Sequence, residues 1–222
     1  MVWPLAIHTV RFRWLTLSLA AWLLILLPQS ASADTTVEVP VLAATRANNQ
    51  GDFNVMVLNW DRRGNPDPME LRWGNQRIRL KEVGLGSIAQ AFRYAVEQTP
   101  SVRYSGTLTL YGASYAPVSS DGPSAGAVMA VGFLAVLRGD AIIRGIALTG
   151  TLEPEGRVGP VGGIPDKVRA AAREHYRLVL IPQGQLNDPR WDLSGLSMQL
   201  NLTIKEVSTI QEAYEMMTGR KL

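Results

Sequence analysis

Apolar and polar positions change period several times along this chain, and each change marks an element. Residues 35–47 and 52–60 alternate apolar and polar around Asn48-Asn49-Gln50-Gly51-Asp52, a pattern that predicts a β-hairpin. Asp61 to Pro68 is a turn-rich loop, and Met69–Trp73 and Gln76–Glu82 then flank Gly74-Asn75, a two-residue hairpin signal. From Ser87, read as an N-cap, the period lengthens. Ile88, Ala91, Phe92, Ala95 and Val96 form one helical stripe that ends at Thr99-Pro100. Gly106–Tyr111 reads as a strand, and a loop from Gly112 to Pro123 follows it. Ala125 to Leu137 is apolar nearly all round, which predicts a buried helix closed by Arg138-Gly139.

Beyond it, Ile142–Leu148 reads as a strand, residues 150–163 as a Gly/Pro-rich excursion, and Pro165 to about His175 as a helix with proline near its start. Leu178–Pro182 and Leu202–Val207 are short apolar strands. Ser208-x-x-Gln211 is read as the cap of a final helix ending at Gly219. Antiparallel hairpins followed by alternating strands and helices predict a single α/β or α+β domain over residues 34–222, the hairpins favouring α+β, with no internal repeat or linker.

Residues 1–33 read differently. Arg11 and Arg13 with no acid make a positive n-region, residues 14–28 (WLTLSLAAWLLILLP) an apolar h-region, and Ala31-Ser32-Ala33 an A-x-A site. This predicts a signal peptide cleaved after Ala33 and a periplasmic or secreted protein. The alternative is a chain anchored in the membrane by an uncleaved N-terminal segment, although the apolar run is shorter than the roughly 20 residues that span a bilayer.

Charge and composition narrow the chemistry. The formal charge of +3 comes from 22 basic and 19 acidic residues, and two of the basic ones leave with the signal, so the mature chain is close to neutral. That gives no basis for nucleic acid as a partner. With no cysteine and His175 the only histidine after residue 33, thiol catalysis is excluded and neither a metal site nor any other cofactor is expected.

Chemistry concentrates between Asp121 and Lys167. Ser124 sits in Asp121-Gly122-Pro123-Ser124-Ala125-Gly126, just ahead of the apolar helix, and Lys167 follows Gly162-Gly163-Ile164-Pro165-Asp166, 43 positions later. A serine at a helix N-terminus lies beside unpaired N–H donors suited to an oxyanion, here those of Ser124 and Ala125. The plainer reading of the same residue is an N-cap. A lysine serves as a base only if burial lowers its pKa by about three units, about 4 kcal/mol. Its plainer reading is a solvated side chain paired with Asp166 or Glu174. His175 is the other conceivable base, but a histidine at a helix C-terminus usually caps carbonyls.

Residues 121–182 resemble the proteolytic domain of Lon proteases, the Ser-Lys peptidases. The matching stretches are DGPSAG (Asp121–Gly126), ALTG (Ala147–Gly150), GRV with PVGG (Gly156–Val158 and Pro160–Gly163), Lys167 and LVLIP (Leu178–Pro182). Weaker similarity extends over most of the chain after residue 87. The resemblance implies a ribosomal protein S5 domain 2-like fold, with Ser124 as nucleophile and Lys167 as general base and acid. It implies that Thr149 holds the lysine amine and that Asp121 orders the serine loop. Residues Ala113, Ser114, Tyr115, Ala116, Pro117, Val118, Ser119 and Ser120 would bind a polypeptide substrate as an extended strand. A homo-oligomer, as a hexameric ring, is implied in the same way.

The chain also departs from that family. No G-x-x-x-x-G-K-[ST] occurs in it, so an ATP-independent serine endopeptidase acting on unfolded or flexible exported proteins is expected. Glu153 and Glu155 in the excursion bear on substrate preference. Two other readings stay open: a non-catalytic binding or assembly module on the same fold, and a Ser-Lys hydrolase of non-peptide amides or esters.

Overall fold

The computed structural model describes residues 34–44, 51–63, 68–74, 78–113, 118–120 and 122–222. The predicted signal segment lies outside them. Alternation in the N-terminal part resolves as expected into an antiparallel hairpin of β1 (Thr35–Ala43) and β2 (Asp52–Asp61), in register from Thr35↔Trp60 to Ala43↔Asp52. Strand β5 (Thr107–Ala113) adds to β2 antiparallel, with Leu58 opposite Leu110. Side chains two apart share a face, so Val37, Val39, Met56, Leu58, Trp60, Leu108 and Leu110 are buried together. Each such burial is worth roughly 1.5–3 kcal/mol. Trp60 satisfies its indole N–H by donating to Ser105 O at 2.8 Å.

The expected second hairpin does not form. β3 (Glu70–Trp73) runs parallel to β5, while β4 (Ile78–Leu80) joins β6 (Val118–Ser120) in a separate parallel pair. Gly74 donates its N–H to Leu110 O at 2.8 Å, and a Cβ at this position would overlap the Tyr111 ring. The glycine therefore serves close approach to β5 and extends the ladder instead of reversing the chain.

Helix α1 (Glu82–Gln98) starts five residues before the expected cap. Glu82 in its first turn complements the helix dipole, and Ser87 lies inside the helix, buried. Helix α2 (Gly126–Arg138) is buried at every residue from Gly126 to Leu137, as its all-round apolar sequence predicts, and ends in left-handed Gly139. It packs against α1, β1, β2 and the final helix α5 (Ile210–Thr218). Gly132 permits that approach, because a Cβ there would overlap Val39.

A second sheet is parallel, in the order β11 (Thr203–Val207), β10 (Leu178–Pro182), β7 (Ile146–Leu148). The expected strand from Ile142 is thus shortened: Gly145 has φ 86° and Ile143 is exposed. The Gly/Pro-rich excursion contains a small hairpin, β8 (Thr151–Glu153) with β9 (Arg157–Gly159). Helix α3 (Ile164–Arg173) buries Ile164, Val168 and Ala171 with Val179, Ile181, Leu193 and Leu196 in a second core. Leu193 and Leu196 belong to α4 (Leu193–Leu200), an element the periodicity does not reveal. Its cap is Asp192, which accepts from Gly195 N at 2.8 Å. The cap of α5 falls one residue later than expected: Thr209 Oγ1 accepts from Glu212 N, and Glu212 Oε2 accepts from Ser208 N. The architecture is mixed α+β. Among the described residues no helix is long and apolar enough to cross a membrane.

Candidate active site

Three consecutive local structures converge on one point: the turn before α2, the residues after β7, and the first turn of α3. Pro123–Ala125 form a single 3-10 turn that runs directly into α2. Gly122 precedes it in extended backbone, and proline fixes φ at the first position. Ser124 is half-buried there, and its hydroxyl caps neither helix, so the plain N-cap reading of this serine does not hold. Its amide and that of Ala125 lie in the first turn, where N–H groups lack the intrahelical acceptors available further on.

The turn is held from two sides. Ser87 Oγ donates to Pro123 O at 3.3 Å, and a Cβ on Gly126 would come within 2.8 Å of that hydroxyl and 3.0 Å of Leu152 N. Glycine is required at 126 by this close approach. On the other side Gly150 N donates to Ser124 O at 3.1 Å, and Ala127 N donates to Gly150 O at 3.0 Å. Sequence reasoning assigned Ser87 to a helix cap. Its position on the inward stripe of α1, one residue before Ile88, is the signal that it faces the core.

Thr149, 1 % exposed, follows β7 and is pinned by its N–H donating to Leu180 O at 3.0 Å. Its hydroxyl donates to Ser124 O at 3.4 Å and accepts from Lys167 Nζ at 2.9 Å. Thr149 therefore has one proton and one acceptor position committed in opposite directions. That leaves the nitrogen lone pair of a neutral Lys167 pointing away from the threonine.

Lys167 is 2 % exposed, and the only hydrogen-bond partner of its amine among the described residues is Thr149. Asp166, the acid next to it in sequence, pairs with Arg169 at 3.0 Å instead. A buried ammonium with a single neutral acceptor is poorly solvated, and burial draws the Lys167 pKa down from 10.5 to about 8. At pH 7 roughly a tenth of such amines are unprotonated, against a few in ten thousand for an exposed lysine. The solvated-lysine reading is excluded by this burial. Ser124 and Lys167 meet through Thr149; no hydrogen bond joins their side chains directly among the described residues.

The remaining expected residues divide. His175 is exposed with φ 61°, beyond the far end of α3. The helix from Lys167 to its end at Arg173 alone rises about 9 Å, so His175 does not share the site. Asp121 and the segment Ser114–Pro117 lie outside the described residues. The expected single strand across 113–120 is divided between two sheets. Ala113 ends β5 opposite Val55, whereas Val118, Ser119 and Ser120 form β6 beside β4. Among the described residues the other edge of β6 is unpaired, and no group of acids and histidines is placed to hold a metal ion.

Gln185 carries no motif, yet its side chain grips the backbone just upstream of the lysine. Its Oε1 accepts from Val161 N at 3.0 Å and its Nε2 donates to Val161 O at 2.9 Å.

Comparison with known proteins matches residues 112–218 to the Lon protease (S16) C-terminal proteolytic domain. A Lon protease of Desulforamulus reducens is 41% identical over 83 residues, covering 37% of this chain and 10% of that protein. One from Trichlorobacter lovleyi is 35% identical over 101 residues, covering 45% of this chain and 12% of that protein. One from Azorhizobium caulinodans is 44% identical over 68 residues, covering 31% and 8% respectively. The chain thus spans about a tenth of the length of the curated relatives it matches.

Proposed function

Residues 112–218 belong to the Lon protease C-terminal proteolytic domain family, and from this premise we propose that the chain is a serine endopeptidase working through a Ser124–Lys167 dyad without ATP. The observation that carries the proposal is the state of Lys167. It is buried, has no carboxylate partner among the described residues and is linked through Thr149 to the backbone of Ser124.

The chemistry follows from these atoms. Neutral Lys167 Nζ takes the Ser124 hydroxyl proton as Oγ adds to the scissile carbonyl. Thr149 holds the amine by accepting one of its N–H bonds, so the lone pair faces the serine. The first-turn amides of Ser124 and Ala125 stabilise the oxyanion. The protonated lysine then donates to the leaving amine, leaving an acyl-serine and a neutral base. Water attacks the ester with Lys167 again as base, and Ser124 is released. Every proton in the cycle moves between Ser124, Lys167, substrate and water, and no nucleotide or metal enters.

Substrate docks along β6, whose outer edge offers main-chain hydrogen bonds to an extended peptide. That mode suits unfolded or flexible chains. The test incubates the full-length chain with casein at pH 7 and pH 9, without ATP and with EDTA. The expected result is cleavage that EDTA does not touch and that is several-fold faster at pH 9, because the neutral fraction of Lys167 rises through about 8. Inhibition by EDTA, or a rate that falls between pH 7 and 9, would sink the dyad.

Export is the second part of the proposal. It rests on the n-region, h-region and A-x-A pattern of residues 1–33. Mass measurement of the chain recovered from outside the cytoplasm is expected to place its first residue at Asp34. An intact Met1 on a membrane-bound product would favour the anchored form, and an intact Met1 on a cytoplasmic one would overturn export.

A further inference from the structure

The lysine is delivered by a short helix whose start has no side-chain cap. Helix α3 is 10 residues long, its N-cap is left-handed Gly163, and Lys167 N donates to Gly163 O at 3.2 Å. Whatever fixes residues 160–163 therefore fixes where Lys167 points. The requirement is strict, because each residue of an α-helix turns by about 100°. A slip of one residue in this segment would swing Nζ away from Thr149.

The segment itself has no secondary structure. What holds it is Gln185, 7 % exposed, whose amide meets both backbone groups of Val161. This is the hydrogen-bond pattern a neighbouring strand would supply, provided by one side chain. Binding the N–H and the C=O together fixes the orientation of the peptide units as well as their distance. Gln185 is in turn anchored to β10, since its own N–H donates to Pro182 O at 3.3 Å, and the turn between them is tied to β11, where Gln183 N donates to Val207 O at 3.1 Å.

Strand β10 also places Thr149, through Leu180 O and the pairing of Leu180 with Leu148. One strand thus carries both halves of the 2.9 Å Lys167–Thr149 contact: the threonine directly, and the lysine by way of Gln185 and Val161.

We propose that Gln185 is a positioning residue for the lysine base, setting the register of α3 through the backbone of Val161. The proposal rests on the peptidase reading for its kinetic consequence but not for its structural one. Among the described residues Gln185 hydrogen-bonds to neither Ser124 nor Lys167, so it acts through the turn it holds. An amide is the side chain this task needs, because a carboxylate accepts from Val161 N but cannot donate to Val161 O.

The experiment uses full-length Gln185→Met and Gln185→Glu beside wild type. It reads casein-peptide kcat and KM, thermal unfolding, and the titration midpoint of Lys167 from its side-chain carbon NMR signals. Methionine keeps the length and burial of glutamine and removes both hydrogen bonds. The expected result is a folded variant with kcat down by about 10–100-fold, as a misplacement near 1 Å produces. KM should stay within about twofold, and the Lys167 midpoint should move toward 10.5 as the amine leaves its enclosed position. Should Gln185→Met fail to fold, Gln185→Glu, which keeps the Val161 N–H bond, decides by the same readings. A folded variant with wild-type kcat and an unmoved midpoint overturns the proposal, as does a rise in KM alone. If wild type does not cleave casein but the midpoint still moves, the peptidase reading fails and the positioning role stands.

Discussion

Replacing Lys167 with methionine is expected to remove peptide hydrolysis and make the protein more stable. Methionine nearly matches the lysine stem in length, so the pocket stays filled, while the amine proposed to take the Ser124 proton is gone. A loss of about 10³-fold or more in kcat is expected, at the level general-base catalysis contributes. The stability change follows from the proton balance. Unfolded, the lysine titrates near 10.5; folded, near 8. Between those pH values the unfolded chain binds more protons, so wild-type stability rises with pH across that window. The full penalty of the buried charge, about 3 kcal/mol, applies below it. Thr149 loses a donor in the variant, which returns about 1 kcal/mol. Thermal unfolding at pH 7 should therefore shift upward by about 6 °C for a domain of this size, and the slope of stability against pH between 8 and 10 should flatten. An active Lys167→Met would show that this amine is not the base, and one that unfolds earlier than wild type at pH 7 would show that it is not a destabilising charge.

Ser124→Ala is the second large effect. Its hydroxyl caps no helix, so removing it takes away no observed hydrogen bond, and unfolding should change by less than about 0.5 kcal/mol, as for substitutions that remove no cap, core or buried contact. Casein cleavage should fall by about 10⁴-fold or more, because no covalent intermediate can form. The double variant Ser124→Ala, Lys167→Met should be no less active than the more impaired single one, since residues acting in one proton transfer are lost together. Losses that multiply in the double variant would mean that serine and lysine act in separate steps. Equal cleavage by Ser124→Ala and wild type would expose another nucleophile.

How far the site could be read from residues alone depended on whether the signal was local. Helix α2 announces itself by being apolar on all sides, and burial on all sides is what it has. Ser124 and Lys167 stand in short, distinctive surroundings, and Thr149 came by resemblance to a family. The Gly74-Asn75 pair misled because it is a local turn signal, whereas the pairing of β3 with β5 is decided by residues more than thirty positions apart. Ser87 has the composition of a cap and the location of a core residue, and only the tertiary neighbours Pro123 and Gly126 decide between them. Gln185 gives no periodic or motif signal at all. Its role exists only once the end of β10 and Val161 are brought side by side.

The complete enclosure of α2 bears on how this protein fails with age or heat. A helix touched on every side by α1, α5, β1 and β2 has no low-energy way of opening by itself. Ser124, the proposed nucleophile, sits in the 3-10 turn that runs directly into it, so it is not expected to be lost by fraying while the rest of the domain survives. Inactivation is then all-or-none: each molecule keeps its full turnover rate until the whole domain opens, and a partly inactivated sample is a mixture of intact and dead molecules rather than a population of weakened ones.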